Sequence, residues 1–319
     1  MTQPLALVFP GQGSQQVGML RELAERYSVV GTTFEEASEA LGYDLWQVVQ
    51  EGPAEALNAT ACTQPALLTA SIAIWRIWQE LEGPRPGAMA GHSLGEYSAM
   101  VCAGVMPFAE GVKLVKLRGE AMQDAVPAGQ GAMAAILGLD DASVEQACAE
   151  AAQGDVVSAV NYNAPGQVVI AGSKAAVERA IAACQAAGAK RAMPLPVSVP
   201  SHCALMAPAA ERLAEALDEV ALKPPRYTVI QNVDGQAHAD VETLRTRLVE
   251  QLYRPVRWTD CVEAMSERGA EVFIECGPGK VLTGLGKRIA RGSKGLAVND
   301  PDSLEAALEL ARGVAAQQG

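Results

Sequence analysis

The chain has 319 residues, room for two domains at about 150 residues each. Its hydrophobic share of 49% and charged share of 19% are those of a globular chain, which excludes disorder and fibrous repeats. Lys and Arg number 25 against 37 Asp and Glu, a net charge of −12 that repels nucleic acid, and aromatic residues at 4% leave few platforms for stacking bases.

Residues 5–9 read as a buried strand that runs into the Pro10-Gly11 turn. No basic segment precedes them, so the start of the chain does not read as a secretory signal. Residues 64–82 read as an apolar, buried helix. Its longest apolar run is interrupted by Thr69, Ser71 and Arg76 and falls short of the ~20 apolar residues that span a bilayer. Residues 87–90 form a short strand, and 93–103 a helix after it.

The stretch 131–197 has its own rhythm. A short apolar run at 132–137 is followed by a helix at 140–152. Strands at 156–160 and 167–171 flank Asn163-Ala164-Pro165-Gly166, and a helix at 173–187, with Ser173 as N-cap, leads to a strand at 190–197. That β-α-β-β-α-β order is the ferredoxin-like unit. The expected fold class is therefore α/β: an α/β-hydrolase-like large domain with a parallel-sheet core, residues 1–127 and 198–319, carrying an inserted ferredoxin-like domain, residues 128–197. Beyond it, Leu205, Met206, Ala209, Leu213, Leu217 and Val220 recur at helical spacing. Residues 227–232 read as a strand stopped by Asp234-Gly235, and 272–275 and 296–298 as further strands.

Seven cysteines, odd in number, widely spaced and without a C-x-x-C, suit reduced thiols in a cytoplasmic protein. With only His92, His202 and His238 to offer ring nitrogens, no metal site is expected.

The sharpest local signal is Gly91-His92-Ser93-Leu94-Gly95, a G-x-S-x-G pentapeptide between an apolar run and a helix. Glycines two positions either side of a serine relieve crowding in a tight strand-to-helix turn. The hydroxyl would stand at a helix N-terminus, where free N–H groups favour developing negative charge. Ser93 is a nucleophile on this reading, or a plain structural turn on the alternative. A serine needs a base. His92 adjoins it on the turn and points elsewhere, and His238 sits in a polar loop. His202, between a strand and a helix, is the candidate base, with a satisfied structural histidine as the alternative.

No triad acid stands out, because Asp140, Asp141 and Asp155 all fall in the small domain. A dyad, its imidazole oriented by a backbone carbonyl or an amide side chain, fits better and suits an activated donor such as a thioester. The oxyanion donors would be the N–H of Leu94 and, from the glycine-bearing loop after the first strand, that of Gln12. The glycines of that loop fail G-x-G-x-x-G, and Gly279-Lys280-Val281 fails the Walker spacing. Arg118 is an ordinary surface or ion-pair residue unless it faces the site, where its planar fork would bind a carboxylate.

Together these segments resemble the malonyl-CoA:acyl carrier protein transacylases, the discrete acyltransferases of type II fatty-acid synthesis, essentially end to end. The resemblance rests on residues 9–15, on Gly91-His92-Ser93-Leu94-Gly95-Glu96-Tyr97, on Arg118, on Val199-Pro200-Ser201-His202 and on residues 275–282. It implies ping-pong transfer through a malonyl-Ser93 intermediate, with His202 as base, Gln12 and Leu94 N–H groups on the oxyanion, and Arg118 on the malonyl carboxylate. It also implies that Gln251 lies beside His202, whose ring is held by a main-chain carbonyl, with Asn232 supporting the same pocket. No bound cofactor is implied; the substrates are malonyl-CoA and the phosphopantetheine thiol of acyl carrier protein.

An acidic carrier meeting an acidic chain needs a local basic patch. Residues 280–299 hold Lys280, Lys287, Arg288, Arg291 and Lys294 without an acid, and Lys190-Arg191 forms a second cluster; an ordinary solvated face is the alternative. Two rival functions share Ser93 and His202: a polyketide-pathway malonyl transferase and a serine esterase or thioesterase.

Overall fold

The computed structural model describes residues 3–197 and 199–317. Met1, Thr2, Ser198, Gln318 and Gly319, which stand at ends of the expected domain ranges, lie outside the described residues. The strands in chain order are β1 (Leu5–Phe9), β2 (Ala88–Gly91), β3 (Gly131–Leu137), β4 (Val157–Ala164), β5 (Gln167–Ser173), β6 (Arg191–Pro194), β7 (Thr228–Ile230), β8 (Val272–Cys276) and β9 (Lys294–Val298). One sheet runs β7-β2-β1-β8-β9, with every neighbouring pair parallel. The other runs β4-β5-β3-β6 and is antiparallel throughout.

The parallel sheet is covered on both faces, which is why β1 is apolar at every position instead of alternating. Leu5, Leu7 and Phe9 point into one core, with the helices Ser28–Leu41, Thr60–Glu80, Phe108–Ala125 and Ala207–Asp218. Ala6 and Val8 point into the other, against Trp258, Val262, Leu282 and Leu285. Thr60–Glu80 is sheathed by other elements along most of its length; its Thr69 hydroxyl donates to the Pro65 carbonyl at 2.7 Å, Arg76 pairs with Glu36 of the helix Ser28–Leu41, and the Ser71 hydroxyl has no partner among the described residues. No helix among the described residues is long and apolar enough to cross a membrane.

In the antiparallel unit the helices Asp141–Ala152 and Lys174–Ala186 share one apolar cluster with β3, β4 and β5. Asp140 caps the first, its carboxylate accepting the Ser143 N–H at 2.8 Å. Ser173 occupies the N-cap position of the second, but its hydroxyl turns to the Val156 carbonyl and makes no cap bond. The unit is stitched to the parallel-sheet body through β4: Tyr162 N–H donates to the Val256 carbonyl at 3.0 Å, and Val256 N–H to Val160 at 2.8 Å.

β2 turns into the helix Leu94–Cys102 within two residues. A Cβ on Gly91 would stand 1.8 Å from the Gly95 carbonyl carbon, and one on Gly95 2.1 Å from the Phe9 oxygen. Both clashes are with backbone, which cannot rotate away. Gly91→Ala is therefore expected to destabilise the fold by at least ~3 kcal/mol, read as a lowered urea midpoint. A midpoint equal to that of the parent chain would mean that the turn opens without strain.

Candidate active site

The carboxyl ends of β1 and β2 open on a cavity of about 340 Å³. Gln12, Ser93, Leu94, Arg118 and His202 line one side, and Met133, Asn161 and the segment 195–197 after β6 line the other. Carboxyl ends of parallel strands are where open α/β sheets hold ligands.

Five non-glycine residues among those described have positive φ, and two of them are Ser93, at 53°, and His202, at 64°. Such geometry persists only where neighbours over-determine it. Ser93 is held by its own N–H, which donates to Asn232 Oδ1 at 2.9 Å, and by its carbonyl, which accepts from Gln251 Nε2 at 3.0 Å. The His202 N–H donates to the Leu252 carbonyl at 3.1 Å.

The Ser93 hydroxyl lies 2.7 Å from His202 Nε2, and His202 Nδ1 lies 2.6 Å from the Gln251 carbonyl oxygen. A carbonyl only accepts, so the neutral ring carries its proton on Nδ1 and presents Nε2 as the acceptor for the serine O–H. No carboxylate takes part. Burial, reinforced by the Arg118 charge, pushes the His202 pKa down to about 3.

Arg118 is 1% exposed. Its Nη1 donates to Gln64 Oε1 at 2.9 Å, and its Nη2 to Gln251 Oε1 at 2.9 Å and to Ser93 Oγ at 3.2 Å. The guanidinium also stands over the Tyr97 ring, 5.3 Å from its centroid. It makes no ion pair among the described residues, and its Nε has no partner. A buried cation held by neutral amides at the wall of a cavity is an incomplete pair, open to a ligand anion. The N–H groups of Gln12 and Leu94 donate to no acceptor among the described residues. The site thus offers a serine hydroxyl, a neutral imidazole positioned to accept its proton, free amide donors and a guanidinium without a direct ion pair among the described residues.

Of the expected residues, Ser93, His202, Arg118, Gln12 and Leu94 line this cavity, while Gln251 and Asn232 are buried behind it and bonded to Ser93. His92 turns to Asn163, with Nε2 2.7 Å from its Oδ1, and His238 pairs with Asp234. Cys203 is core, packed with Met133, Val160, Val169 and Ala171.

The basic residues divide. Arg288 donates to the Pro165 carbonyl at 2.8 Å and to Gln167. Lys190 packs over Gly138, whose N–H donates to the Gly166 carbonyl. Lys190 and Arg288 therefore border one turn, between β4 and β5, with Arg191 next along β6; Lys287 lies instead in a small pocket with Ser293 and Gly295. Arg291 and Lys294 do not join them: Lys294 opens β9 opposite Val272, at the amino end of a sheet whose carboxyl end holds Ser93.

Three residues that the sequence reading left without a role belong to the site. Gln64 orients Arg118, and its signal was a fully buried amide in a helix that is largely apolar. Tyr97 lies under the guanidinium. Glu96, fully buried, accepts the Asn232 N–H at 2.6 Å and Gln231 Nε2 at 3.2 Å.

Residues 6–300 match the family model described as the acyl transferase domain. The chain is 62% identical over 310 residues to the malonyl CoA-acyl carrier protein transacylase of Escherichia coli K12, covering 97% of this chain and all of that protein. Among solved structures it is similar to an acyl carrier protein S-malonyltransferase from Vibrio cholerae, with a TM-score of 0.94 and 63% identity over 95% of this chain and 99% of that one. It is equally similar to a malonyl-transacylase solved with a type II polyketide acyl carrier protein, with a TM-score of 0.95 and 59% identity over 96% of this chain and 99% of that one.

With a pKa near 3, His202 should stay neutral and Nδ1-protonated from pH 5 to pH 9. Nitrogen-15 NMR of the imidazole checks this, and a doubly protonated ring at pH 5 would mean that the pocket admits water.

Proposed function

The chain belongs to the acyl transferase domain family, and from that premise we propose that it moves a malonyl group from malonyl-CoA to the phosphopantetheine thiol of acyl carrier protein, supplying extender units for fatty-acid synthesis. The observation that carries the reading is Arg118: a buried cation with no ion pair among the described residues, 3.2 Å from the Ser93 hydroxyl oxygen. An esterase for neutral acyl groups has no use for it.

Ser93 Oγ attacks the thioester carbonyl as its proton passes to His202 Nε2. The N–H groups of Gln12 and Leu94 hold the oxyanion. The imidazolium returns the proton to the CoA sulfur as the C–S bond breaks, leaving malonyl-Ser93. In the second half the carrier thiol gives its proton to His202, its sulfur attacks the ester, and Ser93 leaves with the proton. No electrons change hands and no resident cofactor is required.

Arg118 makes the base depend on the substrate. In the free enzyme its charge helps to hold the His202 pKa low. A malonyl carboxylate paired with Arg118 cancels that charge and draws the guanidinium from Ser93 Oγ, strengthening base and nucleophile together. An acetyl group does neither.

The cavity lies between a large domain, residues 1–127 and 198–319, and a ferredoxin-like insert, residues 128–197; the β-α-β-β-α-β order and the strand order β4-β5-β3-β6 support that division. Walls from both exclude water from the acyl-enzyme, which favours transfer over hydrolysis. Carrier protein docks on Lys190, Arg191, Lys287 and Arg288; Arg191 stands about 13 Å along β6 from Leu195 at the cavity rim, a span left to the prosthetic arm. A polyketide carrier is the second reading, favoured by the similar malonyl-transacylase solved with one. The free cysteines and the substrates support a cytoplasmic location.

Intact-mass measurement after brief mixing with malonyl-CoA tests the reading. A malonyl adduct should form on wild type, not on Ser93→Ala, and discharge onto added holo carrier protein. Free malonate without an adduct would point to a hydrolase. Arg118→Ala should lower malonyl transfer by roughly a hundredfold or more, while acetyl transfer holds or improves. Equal losses for the two donors would rule out the carboxylate clamp.

A further inference from the structure

Glu96 is a carboxylate sealed in the interior behind the nucleophile, and the transfer chemistry above does not use it. It stands in the first turn of the helix Leu94–Cys102, where the free N–H end of the helix favours a negative charge. Both of its hydrogen-bond partners are donors from the end of β7: the Asn232 N–H at 2.6 Å and Gln231 Nε2 at 3.2 Å. The 2.6 Å bond is at the short end for an N–H donor, as expected when the acceptor is ionised.

Asn232 is the residue through which this carboxylate reaches the chemistry. Its Oδ1 accepts the Ser93 N–H at 2.9 Å and Gln251 Nε2 at 3.2 Å, and its Nδ2 donates to the Gly91 carbonyl at 2.8 Å. One amide thus holds both sides of the strained nucleophile turn and the residue whose carbonyl fixes the His202 tautomer. Rotation or retreat of Asn232 would loosen all three bonds. Its main chain is held by the Glu96 carboxylate and by Arg257, whose N–H donates to the Asn232 carbonyl at 2.9 Å.

We propose that Glu96 is a positioning residue for acyl transfer, its ionised carboxylate anchoring Asn232 so that the Ser93 turn and Gln251 keep their reactive geometry. This rests on the acyl-transfer reading of the Ser93–His202 pair. The groups around Glu96 leave it as the switchable one. Arg118 from the helix Phe108–Ala125 is a permanent cation. Burial pushes the Tyr97 hydroxyl up to about 12 and raises the Cys261 thiol, from the helix Trp258–Glu267, well above its usual range, so both stay neutral. Burial also pushes the Glu96 carboxyl up to about 7, against the opposing pull of its donors and of Arg118. Above that pH the carboxylate accepts both donors. Below it, the protonated oxygen no longer accepts from Gln231 Nε2 as the pair stands, and the neutral carboxyl holds the Asn232 N–H more weakly than the carboxylate does.

The test is the pH dependence of kcat/KM for malonyl-CoA in wild type, Glu96→Gln and Glu96→Ala. Wild type should gain activity as pH rises through about 7, clear of the His202 transition near 3. Glu96→Gln keeps one acceptor for the Asn232 N–H, and its new amide can meet the free Gln231 Oε1 once that side chain rotates, so the variant should fold. It should lose the transition near pH 7 and run roughly five- to thirtyfold below wild type at pH 8; Glu96→Ala should lose more. In wild type the Asn232 amide proton, followed by NMR, should titrate with the same midpoint as activity. A Glu96→Gln enzyme with wild-type rate and an unchanged pH profile would overturn the proposal, as would an Asn232 amide that does not titrate. A wild type that forms no malonyl adduct on Ser93 would instead remove the acyl-transfer reading beneath it.

Discussion

The hydrogen bond from His202 Nδ1 to the Gln251 carbonyl oxygen, 2.6 Å long, sets the terms on which the rest of the cleft is built. A carbonyl fixes the tautomer as firmly as a carboxylate does, but it brings no charge. A carboxylate about 4 Å from Arg118 would attract it by roughly 4 kcal/mol at an effective dielectric of 20. The guanidinium would then be paired before any substrate arrived. Orienting the base with a neutral group keeps the cation free, and the same economy explains why two glutamine side chains hold Arg118.

Amides suit this interior because each offers an acceptor and two donors without charge. Gln251 uses both ends, accepting from Arg118 and donating to Ser93 and Asn232. Asn232 does likewise between Ser93, Gln251 and Gly91. The two share one bond, so nucleophile, base and clamp are fixed by a single network, and a disturbance at one point is felt at the others. The one buried acid in the network, Glu96, faces main-chain and amide donors, and no hydrogen bond joins it to the cation.

How far the site can be read in a sequence follows from which residues leave a local mark. The Ser93 turn does, because two backbone clashes demand glycine at 91 and 95 and the spacing is visible. His202 emerges because only three histidines exist and two sit in unsuitable places. Amides leave no periodicity and no spacing rule, so Gln251 and Asn232 entered only through a family resemblance, and Gln64 and Glu96 gained no role at all. The parallel core was legible from β1 and β2, whose apolar runs are continuous, and from the apolar start of β8, which Glu275 interrupts. The helices between residues 21 and 58 were not, and the basic clusters could be read for charge but not for place, since strand direction decides which of them approach the turn between β4 and β5.

Transfer chemistry asks more of this cleft than hydrolysis would. An ester on Ser93 must outlast the exchange of CoA for a carrier thiol, with a base 2.7 Å away that could equally activate water. A histidine held at a pKa near 3 is a poor base toward water in the empty site. The carboxylate that strengthens it also fills the space beside Arg118, so His202 gains basicity only as the acyl group displaces water from that wall. On the proposed carboxylate-clamp reading, selectivity for a carboxylated acyl group and protection of the acyl-enzyme have one physical source: a buried cation that its amide partners hold without neutralising, at the wall where the acyl group enters.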